Sequence, residues 1–442
     1  GKSTLVKKIL YPALQKKIGA QANKPGQFSS IEGDFSSINT VEFIDQNPIG
    51  RSSRSNPVTY IKAYDEIRSL FANLKLSKLR NYQPKHFSFN VDGGRCDSCK
   101  GEGTITIEMQ FMADVILECE HCKGKRFKKE IQEVKFNDVS IDQLLEMTVD
   151  DAISFFKELN IEVYSSFPDV QTIAEESTAF PMVSKPTFAG GLGFGMKWMM
   201  GWMHDTLQYF AKDSIYRKYH QNEITFSLAY AFTENFMLPL SHDEVVYGKN
   251  SILGRMPGDE WQRFANLRLL YGCMFTHPGT KLLFMGSEFG QYDEWDFQSS
   301  LDWNLLEFEP HKKVQNYYKE LNKFYRNTPA LYEKGFINEG FEWISYDDQE
   351  NSVISYLRKG NNPDQNVLVV CNFTPALLKK YKVGIPSKLK LKEIFNSDAE
   401  QFGGSGIGNA RQITSKKQLW NGRSHAAEIT LPPLGIVIFE LK

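Results

Sequence analysis

Apolar and polar positions change rhythm twice along this chain. Between Thr104 and Leu117, "TITIEMQFMADVIL" alternates with a period of two, which predicts a β-hairpin with one face to solvent. From about Asn160 short apolar runs take over: "VQTIAEES", "EITFSLAY", "FMLPLSHDEV" and "TKLLFMGSEFG" predict strands. The longer "KWMMGWMHDTLQYFA" and "DEWQRFANLRLLYGCMF" predict helices between them. Such alternation predicts a parallel sheet, and acids or His just past strand ends predict a (β/α) barrel with its site at that face. Trp198 and Trp202, four apart beside Met199, Met200 and Met203, predict a core stripe rather than a sugar platform. After about residue 335 the helical period disappears. "SVISYLR", "QNVLVVCNF", "AAEITL" and "GIVIFEL" predict an all-β sandwich.

Composition narrows the partners. The 442 residues leave room for several cores, and 41% hydrophobic with 24% charged residues is ordinary for a globular chain. Lysine and arginine (52) balance aspartate and glutamate (53), so overall charge recruits no nucleic acid. One basic knot remains, Lys123, Lys125, Arg126, Lys128 and Lys129, open both to a solvated surface and to phosphate contacts. No run approaches the roughly 18 apolar residues of a membrane span and no signal peptide opens the chain, so a cytoplasmic protein without a membrane partner is expected. The first residues, "GKSTLV", lack an initiator Met, and the natural N-terminus is expected upstream.

Four of the six cysteines form a cassette. "CDSC" and "CEHC" place Cys96, Cys99, Cys119 and Cys122 in two C-x-x-C turns separated by 19 residues. Two such turns close a tetrahedron of thiolates around a structural zinc ion. Cys273 and Cys371 stand alone in apolar segments, which fits a reducing compartment. "GKST" matches the end of a phosphate-binding loop, where Lys2 would reach the outer phosphates of ATP and Ser3 would hold magnesium. "GGSGIG" at 403–408 imitates such a loop without its Lys and predicts a surface turn. At the predicted strand ends stand Glu175, Glu176, His242, Asp243 and Glu244, residue types suited to glycoside chemistry; solvated turns account for the same acids.

Two resemblances cover the chain. "GKSTLV", "FIDQNPIGRSSRSNPVTYIKAYDEIRSLFA" and "FSFNVDGGRCDSCKGEGTITIEMQFMADVILECEHCKGKRF" resemble the second ATPase half of the excision-repair damage sensor UvrA, over residues 1–157. That resemblance implies a glutamine loop at Gln46, and zinc and DNA phosphates near the cysteine cassette. The signature "LSGG" and an apolar strand ending directly in Asp-Glu are absent, so the ATP site is expected to be incomplete.

"TIAEESTAFPMVSKPTFAGGLGFGMKWMMGWMHDTLQYF", "ITFSLAYAFTENFMLPLSHDEVVYGKNSILGRMPGDEWQRFANLRLLYG" and "KLLFMGSEFGQYDEWDFQSSLDW" resemble the 1,4-α-glucan (glycogen) branching enzymes of the α-amylase superfamily, over residues 159–442. The resemblance implies an α-glucan substrate, with Glu175 as general acid/base, Asp243 as the carboxylate gripping the distorted sugar, and His242 as its hydrogen-bonding neighbour. It implies also a nucleophilic Asp in an "F-R-x-D" segment. The R-x-D of this chain is Arg95–Asp97, inside the cysteine cassette, so a chain without branching turnover is expected.

Together these readings predict a multi-domain α/β chain, a chimera joined near Lys157–Asn160. An ABC-type ATPase fragment would occupy 1–90 and a zinc module 91–157. The second half of a (β/α)8 barrel would occupy 158–334, and a C-terminal β-sandwich 335–442. The alternative to glucan transfer is a zinc-containing ATP- and DNA-binding repair fragment.

Overall fold

The computed structural model describes residues 5–18, 22–33, 35, 41, 64–107, 115–136, 138–147, 149–246 and 248–442. The chain divides into two compact units, Gly1–Ala152 and Ile153–Lys442, and each is described by itself.

In the first unit the predicted hairpin forms, with β1 (Thr104–Ile107) antiparallel to β2 (Val115–Glu118) in the register Thr104↔Glu118. Two-residue strands β3 (Lys135–Phe136) and β4 (Val139–Ser140) make a second small pair. Helix α1 (Tyr64–Asn73) packs Tyr64 and Phe71 against Phe87, Phe89, Phe127 and Ile131, the centre of a small apolar core. The Tyr64 hydroxyl donates to the carbonyl of Phe87 (2.7 Å), which satisfies its one polar atom inside that core.

Helix α2 (Val149–Ser166) leads into the second unit. There β5 (Ile173–Ala174), β6 (Met196–Trp198), β7 (Phe236–Leu240) and β8 (Thr280–Leu283) form a parallel sheet in sequence order. The register runs Ala174↔Lys197↔Phe236 and Trp198↔Met237↔Thr280, so all four carboxyl ends lie on one edge. Helices α3 (Met200–Ala211), α4 (Glu260–Thr276) and α5 (Glu309–Asn327) complete this layer, with Trp202 buried in its core; Trp198, the other tryptophan of the predicted stripe, lies instead on β6 and is half-buried.

Two local expectations change. "EITFSLAY" is no strand: residues Gln221–Thr225 are helical and Phe226–Ala229 form a 3-10 turn. The buried positions are Gln221, Ile224 and Ser227, a three-residue spacing that only a helix can present to one core. The strand at that place in the sheet is instead Met196–Trp198, which the sequence merged with the helix after it.

The C-terminal strands are β9 (Phe341–Asp348), β10 (Val353–Arg358), β11 (Val367–Asn372), β12 (Leu378–Ile385), β13 (Lys390–Asn396), β14 (Ile413–Thr414), β15 (Lys416–Trp420), β16 (Arg423–Leu431) and β17 (Gly435–Leu441). Six form one antiparallel sheet, ordered β14-β13-β17-β11-β10-β9, and three form another, β12-β16-β15. Val353, Leu368, Val383, Ile385, Ile429 and Phe439 fill an all-β core of their own.

Buried arginines bind this β-domain to the α/β layer. Arg358 of β10 donates to the carbonyls of Thr276 (2.6 Å), Gly340 (3.1 Å) and Leu331 (3.1 Å). Arg217 donates to Phe210 (2.9 Å) and Phe373 (3.0 Å). Thr276 and Phe210 lie in the last turns of α4 and α3, where carbonyls have no partner in the helix and the macrodipole favours a cation. Burial lowers both guanidinium pKa values to about 10, yet both remain charged at neutral pH.

Candidate functional site

Two groups of residues carry chemistry, one in each unit. In the first, the turns containing Cys96–Cys99 and Cys119–Cys122 approach one another below the β1–β2 hairpin, held by hydrogen bonds from Cys96 N to the Arg126 carbonyl (2.8 Å) and Cys119 N to the Gly103 carbonyl (2.9 Å). Gly101 (φ 86°) and Gly103 (φ 79°) take left-handed conformations there. A Cβ on Gly101 would lie 2.0 Å from the Phe89 carbonyl oxygen, so glycine is required at that position.

All four thiols are buried, and their sulfurs lie within 4.8 Å of one another. Cys96 and Cys119 sulfurs are 3.9 Å apart, those of Cys99 and Cys122 3.6 Å. Burial pushes the Cys99 and Cys122 thiols upward. The basic knot is partly spent locally: Lys128 pairs with Asp97 (2.9 Å) and Lys125 lies 3.7 Å from Asp142. Lys2, Ser3 and Gln46, the nucleotide ligands expected from sequence, lie outside the described residues.

In the second unit the parallel sheet places the predicted acids along its carboxyl edge. Glu175 directly follows β5 and is exposed. Its neighbour Glu176 has a carboxylate oxygen 2.5 Å from the ammonium of Lys197, a buried residue of β6. The same ammonium donates to the carbonyls of Thr178 (2.9 Å) and Phe180 (3.4 Å). Two carbonyls that accept hydrogen bonds and one carboxylate paired as an ion, all from the loop after β5, thus surround one ammonium, which ties the segment carrying Glu175 to the next strand. The sequence signal for Lys197 was a lone cation in the apolar stretch "GMKWMM".

Past β7, Ser241 is buried and His242–Val245 make a 3-10 turn. Asp243 lies beside His242, with 3.3 Å between a carboxylate oxygen and Nε2. The imidazole stands against the rings of Phe284 (6.0 Å) and Trp295 (6.4 Å), which follow β8. Glu244 points the other way, buried between Arg255 (3.4 Å) and Lys249 (3.3 Å), and is thereby a structural residue of its loop. "GGSGIG" is accounted for too: Ser405 N (2.9 Å) and Ile407 N (3.2 Å) donate to the Asp398 carboxylate, so its amides already hold an internal anion.

Residues 343–442 match the family described as alpha amylase, C-terminal all-beta domain. The C-terminal region of the chain also matches curated 1,4-alpha-glucan branching enzymes, named GlgB. That of Aquifex aeolicus is 58% identical over 287 residues, covering 65% of this chain and 46% of that protein. That of Halothermothrix orenii is 53% identical over 290 residues, with 66% and 46% covered. For Rubrobacter xylanophilus the identity is 54% over 287 residues, with 65% and 40% covered. The chain therefore spans less than half the length of these relatives. Among solved structures, UvrA2 from Deinococcus radiodurans is 41% identical over 36% of this chain and 18% of its own, with a TM-score of 0.27. Among the described residues, no helix is long and apolar enough to cross a membrane.

Proposed function

We propose that residues 158–442 are an α-glucan-binding part of a branching-type transglycosylase. The observation that carries this is the coincidence of 58% identity to a branching enzyme with Glu175 and Asp243 on one edge of one parallel sheet. Glu175 would protonate the oxygen leaving an α-1,4 link and later take the proton of an incoming 6-hydroxyl. Asp243 and His242 would bind the hydroxyls of the sugar at the cleavage point, and Lys197 would keep the Glu175 segment against β6.

Retaining transfer needs a second carboxylate roughly 5 Å from the acid, on the opposite side of the anomeric carbon. The R-x-D aspartate of this chain, Asp97, stands within the cysteine cassette, in an exposed pair with Lys128. We therefore infer that this chain binds α-1,4-glucan without transferring it. The test is amylose incubation followed by loss of iodine absorbance, beside maltoheptaose binding by calorimetry. Measurable binding with no absorbance loss is expected; steady turnover would sink the inactive assignment, and absence of binding would sink the glucan assignment.

A second reading belongs to the first unit. Zinc–sulfur bonds of about 2.3 Å arranged tetrahedrally give sulfur–sulfur edges of about 3.8 Å. The observed 3.6 and 3.9 Å separations are close to that edge, and all four sulfurs lie within 4.8 Å of one another. We infer a structural zinc on Cys96, Cys99, Cys119 and Cys122. Four protein ligands leave no open position, so the ion would supply folding energy and no chemistry.

A further inference from the structure

At the carboxyl edge the loop after β8 grips the loop after β7 through two adjacent residues. The Glu294 carboxylate accepts hydrogen bonds from the backbone N–H of Gly248 (3.0 Å) and of Asn250 (2.5 Å), one on each oxygen. Both residues are left-handed, Gly248 at φ 80° and Asn250 at φ 70°. That conformation turns the two amides toward one point and makes a small anion-holding concavity. The amides of Gly248 and Asn250 hold the Glu294 carboxyl below the usual carboxylate range, with a smaller contribution from Arg255. Next in sequence, Trp295 donates its backbone N–H to the Val245 carbonyl (2.8 Å) and packs its ring on Phe284 (5.0 Å) and on His242.

We propose that Glu294 is a positioning residue for α-glucan binding: it clasps the 248–250 turn and so fixes Trp295 as the wall against which His242 stands. Asn250 takes the left-handed conformation that asparagine tolerates better than other residues with a Cβ, and its side-chain oxygen accepts locally from Ser251 N (2.8 Å), which leaves its backbone N–H to the carboxylate across from it. Lys249 and Arg255, the cations of the same loop, already face Glu244, whose removal would disturb the turn from within. Glu294 acts from outside, on a side chain exposed enough to replace without opening a core.

This inference rests on the α-glucan reading, and its experiment separates the two. Backbone hydrogen exchange at residues 248–250 and maltoheptaose affinity would be measured for the wild-type chain, Glu294→Ala and Glu294→Gln. Loss of two charge-assisted bonds predicts about tenfold faster exchange and about tenfold weaker maltoheptaose binding in Glu294→Ala. The melting temperature should stay within about 2 °C of wild type. Glu294→Gln keeps one acceptor and should fall between. Unchanged exchange in Glu294→Ala overturns the clasp itself. Faster exchange with unchanged affinity overturns its positioning role. Absence of maltoheptaose binding by the wild-type chain overturns the glucan reading, while the exchange data still decide whether the clasp exists.

Discussion

The two units hold themselves together by different means. In the second, the apolar core runs from Met199 of the α/β layer to Ile438 of β17, and a separate cluster fills the β-domain. In the first, nine buried residues from Tyr64 to Leu145 form the described core, and neither Ile105 nor Leu117 of the hairpin belongs to it. Ile105 is 41% exposed and Leu117 50%, although both belong to apolar positions of the strands. A two-stranded hairpin is marginally stable at best on its own. The zinc proposed on the four sulfurs at its base would supply a cross-link there, the expected substitute for burial where a core is small.

The largest expected effect tests that contrast. Zinc bound to four thiolates contributes on the order of 10 kcal/mol to folding, more than a small core supplies. Stripping the metal, or replacing Cys96 with Ser, should abolish the unfolding transition of the first unit in calorimetry. The transition of the second unit should persist within about 2 °C. Metal analysis of the untreated chain should give one zinc per molecule. A chain that purifies without metal and keeps both transitions would erase the distinction between the units.

A pH scan sharpens the comparison from the other side. His277 of the second unit is buried, with Nε2 3.0 Å from the Ser227 hydroxyl and Nδ1 2.8 Å from the Pro278 carbonyl. Burial lowers its pKa to about 3, with the cations Lys281 and Arg358 acting in the same direction. In the unfolded chain its pKa is about 6.5, so between those values the unfolded state binds the extra proton. Stability from this group is therefore complete above about pH 6.5 and is lost progressively as pH falls toward 3, by roughly 3–5 kcal/mol. His277→Gln should flatten that part of the profile for the second unit and leave the first unit's profile unchanged. Superimposable acid profiles for the variant and wild type would show that His277 is not the acid-sensitive group.

Much of this architecture was legible in sequence, and what was missed has physical causes. The hairpin between the cysteine pairs, the strands β7, β8, β10, β11, β16 and β17, and the helix Glu260–Thr276 all announced their period. β6 did not, because Met196–Trp198 is three residues long and runs straight into an apolar helix; no period develops in so short a run. The helix at Gln221–Thr225 was hidden by β-branched and aromatic neighbours whose local preference is extended, and packing of Ile224 and Ser227 overrode it. At the candidate site Glu175, His242 and Asp243 could be picked out by their places after apolar runs. Lys197 and Glu294 could not, since their roles depend on partners 21 and 44–46 positions away, which only the fold brings near.

Glycine positions give the smallest and finest comparison, inside the second unit. Asn421-Gly422 links β15 to β16, with φ values of 47° and 69°, the turn that the dipeptide favours in hairpins. A Cβ on Gly422 would meet nothing within 4 Å, so Gly422→Ala should cost about 1 kcal/mol through backbone strain alone. Gly272 in α4 has the opposite problem. Its conformation is helical, yet a Cβ there would lie 2.5 Å from the Ile436 side chain and 2.9 Å from the Tyr317 hydroxyl, so crowding at the helix–sheet contact decides its cost. Equilibrium unfolding in urea should place Gly422→Ala near that 1 kcal/mol with its slope unchanged, because the variant alters one turn and no buried surface. A neutral result would mean that the β15–β16 hairpin does not hold Gly422 left-handed. A cost of several kcal/mol would mean that something covers the turn where the structure leaves it open.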